Sequence, residues 1–517
     1  MESAMVAANF PWLTVLVAIP AAGAALLGFV PPLRRAAGRL VALVIALVEL
    51  CLGVNVAATA FNWSAPASYQ LYESRTWIPQ IGVTWSVAVT SLGLVMILLA
   101  LVLVPIVLVA GWNENEDRGA QPALVLSLQA FMVLIFAAFD LAVFYIAFEA
   151  MLVPLYLMIG RYGLGEASAR HKAAMKFLLY SLFGGLVMLG GIIYIWARLA
   201  ATQADTTAFF RMDTLAGILP TQSMPAQMVI FVTFMVAFAI KAPMVPVHTW
   251  LPDAAAVARP GTSVLLVGVL DKIGTFGMIT MCLQLTPGAS ASAKWVMCVL
   301  AVISILWGGL SANGQNDIMR LVSYTSVSHF GFMVLGIFIG SQIALVGAMF
   351  YMVAHGVSIA AMFLLSGWLS RRGGTQDMRE YVGMQKVTPV LAGLWLMSGL
   401  ASIALPGLSG FVPEYLVLMG TWTVNGPLAL FAVLGVVIAA MYILMPYQRV
   451  FTGAPGKGKE ELADLGARER CVMTPLVIAM LVLGIWSAPL VSALTPVASD
   501  LDLATSQVPA AVEGSAQ

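Results

Sequence analysis

Runs of about twenty apolar residues, joined by short polar connectors, recur along this 517-residue chain. A helix of about twenty residues crosses the roughly 30 Å hydrocarbon layer of a bilayer, where only helices and closed barrels satisfy their backbone groups. Just 9% of the residues are charged and 61% are hydrophobic, whereas soluble domains carry about 25% charged residues. That leaves too little polar surface to clothe a soluble core of this size. The expected fold is an all-α polytopic membrane protein, one transmembrane domain over residues 1–517 with about fourteen spans. The spans are expected at 9–30, 40–61, 84–110, 121–138, 141–160, 174–197, 226–247, 262–284, 294–312, 319–340, 342–369, 387–420, 427–447 and 472–493.

Loop charge supports this division. Nineteen Lys and Arg residues fall in, or within the first residues beyond, loops after odd-numbered spans and four after even-numbered ones, with Lys241 and Lys272 deeper inside spans. By the positive-inside rule the odd loops face the cytoplasm and both termini face outward, with acidic Asp500, Asp502 and Glu513 on the outer side. The start, "MESAMVAANFPW", has no basic region or clear cleavage site, so the first run reads as a retained span. No soluble domain is expected. The longest inner loop, "GAPGKGKEELADLGARER", is a short charged connector. A net charge of +1 points to no nucleic-acid or acidic partner. Cys51, Cys282, Cys298 and Cys471 form no CxxC pair; they are expected as buried apolar residues, with no metal or iron–sulfur ligation by this chain.

Several ionisable residues lie at membrane depth, where each costs roughly 2.5–3.5 kcal/mol on insertion scales. Glu149 sits in "FYIAFEAMLVPLYLMIG", Lys241 in "FAIKAPMVPVHTWLPD", and Asp271 and Lys272 in "VGVLDKIGTFG". His329 sits in "SYTSVSHFGFMVLG", His355 in "FYMVAHGVSIAAMF", and Glu414 ends "LPGLSGFVPE". Each has a plainer alternative. The lysines could snorkel toward the interface, Glu149 could be a structural counter-ion, and the histidines could bond between helices. Glu49, without a motif around it, reads as a packing or protonated acid. Together, however, the residues make the parts of a proton relay. Low dielectric disfavours a charged lysine and a nearby carboxylate favours it, so a lysine whose partner approaches or withdraws can load and release a proton. Histidine adds a link that titrates near neutrality. Thr325 and Ser326 lie on the helix face of His329, where they could hold water.

The spacing of these groups suggests an internal repeat. Glu149 to His329 is 180 residues, Lys176 to His355 is 179, and Lys241 to Glu414 is 173. "IKAPMVPVHTWLP" and "LPGLSGFVPE" each interrupt an apolar run with prolines, which predicts two discontinuous helices. The offset spans five segments, an odd number, so the units 121–284 and 294–447 are expected as two inverted five-helix repeats. Inverted repeats with paired broken helices point to a transport site near the midplane.

At these residues the chain resembles the antiporter-like membrane subunits of respiratory complex I, the proton-pumping NADH:quinone oxidoreductase. The resemblance covers almost the whole chain and is greatest to the M-type branch. "FDLAVFYIAFEAMLVPLYLMIG" resembles the family's fifth-helix signature, with Glu149 at its glutamate, and "KAPMVPVHTWLPDA" resembles the seventh, with Lys241 at its lysine. Lys272 falls on the central lysine of the eighth helix, His329 on the tenth-helix histidine and His355 on that of the eleventh. Glu414 falls where M-type chains carry glutamate and the sister L and N chains carry lysine.

The resemblance implies one proton channel per subunit, driven by redox chemistry in partner subunits that hold the flavin, iron–sulfur clusters and quinone, and the high Ala, Gly and Val content suggests a bacterial cell membrane. It implies no cofactor in this chain. The partners implied are the L-like and N-like antiporter-like chains and the bilayer. Glu149 is expected to tune Lys241, Lys272 to carry the proton between two half-channels, and Glu414 to be the outer terminal site. The chain departs from the family's pattern at Ala255, Val257 and Arg259, where a histidine, a glutamate and Ala-Pro are usual, and at Asp271, which is usually apolar. Individual motifs also occur in Mrp-type cation/proton antiporters and membrane-bound hydrogenases, and an inactive membrane scaffold is a third reading.

Overall fold

The computed structural model describes residues 5–113, 120–202, 208–456 and 458–506. Arg118, Lys457, the Asp502 side chain and Glu513, all used in the charge reading, lie outside the described residues. Helices dominate. In chain order they are α1 (Trp12–Phe29), α2 (Pro31–Asn55), α3 (Ser91–Ala110), α4 (Gln121–Ala137), α5 (Leu141–Ala150), α6 (Leu152–Gly160) and α7 (Ala167–Thr202). Next come α8 (Met212–Ile218), α9 (Met224–Lys241), α10 (Trp250–Val257), α11 (Pro260–Leu265), α12 (Lys272–Gly277), α13 (Pro287–Asn313) and α14 (Ile318–Phe338). The last are α15 (Gln342–Gly373), α16 (Met384–Val387), α17 (Pro389–Ser402), α18 (Phe411–Val424), α19 (Gly426–Phe451), α20 (Ala467–Ile485) and α21 (Ala488–Ser506).

Among the described residues, eleven helices are long and apolar enough to cross a membrane, and the pair Ala467–Ile485 and Ala488–Leu501, bent by 68°, makes up to twelve. Gln121–Ala137 and Pro389–Ser402 are shorter apolar helices. Each of the fourteen expected runs thus holds helix. Contacts between loops follow the alternation that crossing helices require. At one end, Glu73 accepts from the start of α1 at Leu13, Thr84 bonds Asp140, and the Tyr69 hydroxyl donates to Gln284. At the other end, Arg371 bonds Asn113, Gln376 bonds Ala256, and Arg372 pairs with Glu469.

Several boundaries differ from the sequence expectation. The third span does not begin at 84: Gln70–Ile78 (β1) and Val83–Val89 (β2) form an antiparallel hairpin, and helix starts only at Ser91. "VTWSVAV" is apolar enough to extend a hydropathy run, yet its β-branched residues suit a strand. Asp140 holds this hairpin to the bundle, accepting from Thr84 while it caps α5 through the Ala142 and Val143 amides. The second span starts earlier than expected, because Pro31 occupies the first helical position. The last run breaks after Ile485, and α21 turns away instead of ending the span at 493.

Two of the four cysteines also differ. Cys282 and Cys298 are buried, but Cys51 and Cys471 are exposed. A lipid-facing surface is as apolar as an interior, so apolarity in a span does not report burial. Of their hydropathic windows, α2 and α19 bury 33%, whereas the 260–283 helix, α14 and α15 each bury 94%. These three enclosed helices are the core of the molecule. They carry Asp271, Lys272, His329 and His355.

Candidate functional site

Both expected breaks are present. Helix α9 stops at Lys241, and residues 242–249 are irregular before α10 begins. Pro243 and Pro246 lack N–H groups, which removes two donors from the unwound segment. Several of the backbone groups that remain find partners. Ala242 and Met244 N–H bond back to Phe238 and Ala239, Val245 N–H donates to Ser304 Oγ of α13 at 3.0 Å, and Trp250 Nε1 donates to the Ile240 carbonyl at 2.9 Å. Irregular backbone at membrane depth persists where it is enclosed by protein in this way.

Lys241 lies in the last turn of α9, the helix end that favours a cation. Its side chain does not snorkel: it is 1% exposed. The ammonium lies 5.5 Å from the Phe148 ring centroid and 5.7 Å from that of Phe177, and it has no hydrogen-bond partner. Glu149, on α5, fills the space that a side chain on Gly185 of α7 would need. Its Oε1 is buried and also unpartnered. Glu149 lies within electrostatic reach of Lys241, yet the two form no direct ion pair among those of the described residues.

The central helix is distorted around Asp271 and Lys272. Residues Leu266–Leu270 and Met278–Leu283 are π-helical, on either side of the α12 turn, a distortion frequent at functional sites. Asp271 N–H bonds the Leu266 carbonyl five residues back at 2.9 Å. That leaves the Val267 carbonyl to accept from the Lys272 ammonium. The second partner of Lys272 is His355 Nδ1 on α15, at 2.8 Å. When Lys272 is charged it can only donate, so Nδ1 then accepts and the His355 proton sits on Nε2; a neutral amine can take either role. The Phe330 ring lies 5.3 Å from the ammonium. Lys272 is fully buried, so it too does not snorkel. Its contacts go to His355 and Val267, not to the adjacent Asp271.

The line continues past His355. The His329 and His355 rings stand 5.0 Å apart, edge to face. His329 Nε2 bonds the Tyr442 hydroxyl at 3.1 Å, and its ring centroid is 5.8 Å from that of Tyr351. Tyr351 donates to Glu414 Oε2 at 2.8 Å. Glu414 sits in the first turn of α18, just after the second break at 403–410, where a helix N-terminus favours an anion. Ala404, at φ 57°, and Gly407, at φ 88°, are the left-handed residues of this break, and glycine adopts that conformation without a Cβ penalty. The two breaks therefore place opposite charges by one rule, the lysine before its break and the glutamate after its own.

Contacts thus join Lys272, His355, His329 and Glu414 through Tyr442 and Tyr351, while half-buried Glu149 lies within electrostatic reach of buried Lys241, and Asp271 within reach of both lysines. The structure adds Asp271, Tyr351 and Tyr442. Tyr351 stands four residues before His355, on the same helix face, a spacing that could have flagged it. Nothing in the local sequence marks Tyr442. Thr325 and Ser326, the hydroxyls beside His329, both donate to the Val322 carbonyl and keep their acceptor lone pairs. Glu49 is buried on α2 and bonds to none of these residues.

At the end that carries most of the basic loops, Asp253 of α10 bridges the first half to the second. It accepts from Lys176 of α7 at 2.7 Å and from Arg320 of α14 at 2.6 Å. Burial alone would raise the Asp253 carboxyl, but the bonds and charges of Lys176 and Arg320 outweigh it and hold the group below the usual carboxylate range. The link therefore persists at neutral pH and weakens only on acidification. Lys176 lies at this end, while His355, its partner in the 179-residue offset, lies in the central axis. Ala255 is buried and Val257 half-buried on α10, and Arg259 Nε donates to the Tyr162 carbonyl at 2.6 Å. Among the described residues, no group of three or more His, Cys, Asp or Glu is set to hold a metal ion. The arrangement can do proton chemistry, since each neighbour is a donor, an acceptor or both.

Comparisons with known proteins agree with this fold. Residues 138–439 match the model of the NADH:quinone oxidoreductase/Mrp antiporter transmembrane family. The NADH-quinone oxidoreductase subunit M of Mycobacterium tuberculosis is 40% identical over 94% of this chain and 93% of its own. That of Pseudomonas aeruginosa is 35% identical over 93% of this chain and 94% of its own. A chain of respiratory complex I from Thermus thermophilus superposes with a TM-score of 0.85 at 30% identity, covering 95% of this chain and 99% of that one. A chain of the Mrp complex from a Dietzia species reaches 0.81 at 21% identity, over 95% and 98%, a likeness of fold alone.

Proposed function

Because the chain belongs to the NADH:quinone oxidoreductase/Mrp antiporter transmembrane family, we propose that it is the M-type proton-translocating membrane subunit of an NADH:quinone oxidoreductase. The observation that carries this reading is the Lys272–His355 contact inside helices that are 94% buried. A lysine–histidine bond buried this deeply brings no negative charge of its own to offset the desolvation of the lysine. It does suit a group that must gain and lose a proton. Relatives named subunit M, similar over more than nine-tenths of both chains, support membership of the complex. The Mrp antiporter remains a relative in fold at 21% identity.

In this reading Glu149 sets the charge state of Lys241, Lys272 carries the proton across the centre, the two histidines extend the route, and Glu414 is its outer terminus. The 121–284 and 294–447 units act as inverted repeats, an assignment supported by the matched breaks at 242–249 and 403–410. Redox chemistry belongs to partner subunits with flavin, iron–sulfur clusters and quinone, and L-like and N-like chains lie alongside in a bacterial cell membrane. Both termini face outward. The charge bias of the loops supports that orientation.

Purification through a tag on this chain tests the assignment. The chain should come out with flavin- and iron–sulfur-bearing subunits and with NADH:quinone activity. Recovery only with other antiporter-like chains, without redox subunits, would favour an antiporter. Glu414 offers a more local check. Glu414→Gln keeps an acceptor for Tyr351 but loses the charge, so proton release should fall by about tenfold or more, equivalent to roughly 1.4 kcal/mol. Tyr351→Phe removes one bond to Glu414 and should cost less. Release at the native rate in an assembled Gln variant would remove Glu414 from the route.

A further inference from the structure

We propose that Asp271 is a relay acid between Lys241 and Lys272, taking the proton that Lys241 releases and passing it to Lys272. The proposal rests on the reading that this axis conducts protons.

The packing of the central helix aims Asp271 at the first break. A Cβ on Gly274 would lie 2.6 Å from both the Phe238 carbonyl and the Ala242 amide of the α9 terminus, so this face of the helix meets α9 one residue past Lys241. Asp271 lies one turn before Gly274, and residues three apart share a helix face. Its carbonyl accepts the Gly274 N–H at 3.2 Å. Lys272 points elsewhere, since adjacent side chains on a helix diverge by about 100°; its ammonium is committed to α15 and the Val267 carbonyl. Asp271 thus faces one lysine while standing next to the other in sequence.

Its surroundings also argue against a fixed ion pair. Asp271 is fully buried and neither carboxylate oxygen has a hydrogen-bond partner. Lys241, the cation on the facing helix, is equally buried and equally unpartnered. Asp271 feels the charges of Lys241 and Lys272, and Lys241 feels those of Asp271 and Glu149. On the far side His355 borders Lys272, with His329 behind it, and α3, which also packs here, brings no titratable side chain. A structural pair would close on one lysine and satisfy both partners. Here both stay open, and an unpartnered buried charge costs several kcal/mol.

The step balances. The Lys241 ammonium gives its proton to the Asp271 carboxylate, leaving a neutral amine and a carboxylic acid. The acid then protonates a neutral Lys272 amine and returns to carboxylate. One proton moves from Lys241 to Lys272, and the two lysines never need to be charged together, which repulsion at low dielectric would oppose.

The test uses the whole complex in proteoliposomes, with proton uptake and NADH oxidation measured separately for Asp271→Asn, Asp271→Leu and Asp271→Glu, beside Lys272→Met. Asn and Leu should each slow transfer through this chain by about a hundredfold, the low end for loss of a proton-transfer group, while Glu retains a measurable share. Leu leaves no polar group to satisfy, so it suits the site even where Asn impairs assembly. Native transfer in Asn or Leu would overturn the relay, as would an assembled Glu variant as inactive as Leu, because shape and not acidity would then matter. Native transfer in Lys272→Met would instead overturn the channel reading itself.

Discussion

Lys272→Met is expected to stop proton passage through this chain while the complex still assembles and oxidises NADH. Methionine matches lysine in length and suits a site that is fully buried, so the packing against Phe330 survives. What disappears is the group that links the first half of the axis to His355. Proton-transfer groups contribute about 10²- to 10⁴-fold to the steps they serve, so passage should fall by at least about a hundredfold. The energetics of the site are adequate for the task. A proton moved fully across about 100 mV needs about 2.3 kcal/mol. Making or breaking a charge contact of about 4 Å at an effective dielectric near 20 is worth about 4 kcal/mol. A rearrangement of one neighbouring charge can therefore load and unload Lys272 against the membrane potential. Proton uptake into proteoliposomes, with assembly checked on a native gel, reads the outcome.

Glu149→Gln should have the next largest effect. The glutamate lies in a space cleared by Gly185, within electrostatic reach of Lys241 but with no ion pair to it among those of the described residues. Glutamine preserves the shape and removes the charge, so Lys241 would lose one of its two acidic neighbours. Passage should fall by about tenfold or more, roughly 1.4 kcal/mol, with assembly intact. Glu149→Asp keeps the charge on a shorter side chain and should retain part of the activity. Gly185→Ala is a steric companion: its new methyl group would displace the carboxylate and should impair pumping without any change of charge. Native pumping in an assembled Gln variant would take Glu149 out of the mechanism.

The axis was legible in the sequence because a charge in an apolar run is conspicuous. Glu149, Lys241, Lys272, His329, His355 and Glu414 announce themselves by their cost, and the prolines near Lys241 and Glu414 mark both breaks. What joins these residues was not legible. Lys272 and His355 are 83 residues apart and meet through helix packing. Asp271 was visible, but its direction follows from a π-helical turn that no periodicity betrays. Tyrosines in apolar helices are ordinary, so Tyr442 gave no sign. The hairpin at 70–89 escaped notice because β2 is as apolar as the span it precedes, and the exposed cysteines because lipid-facing and buried positions read alike.

The account's central claim is that Lys272 works by changing its protonation and not merely by being positive. Arginine separates the two, since it keeps the charge and does not deprotonate usefully. The measurement is the number of protons taken up per NADH oxidised by proteoliposomes carrying the Lys272→Arg complex. The account predicts that this ratio falls by the whole share of this chain, as it does with methionine. A native ratio in the arginine variant would contradict it and leave Lys272 a structural charge.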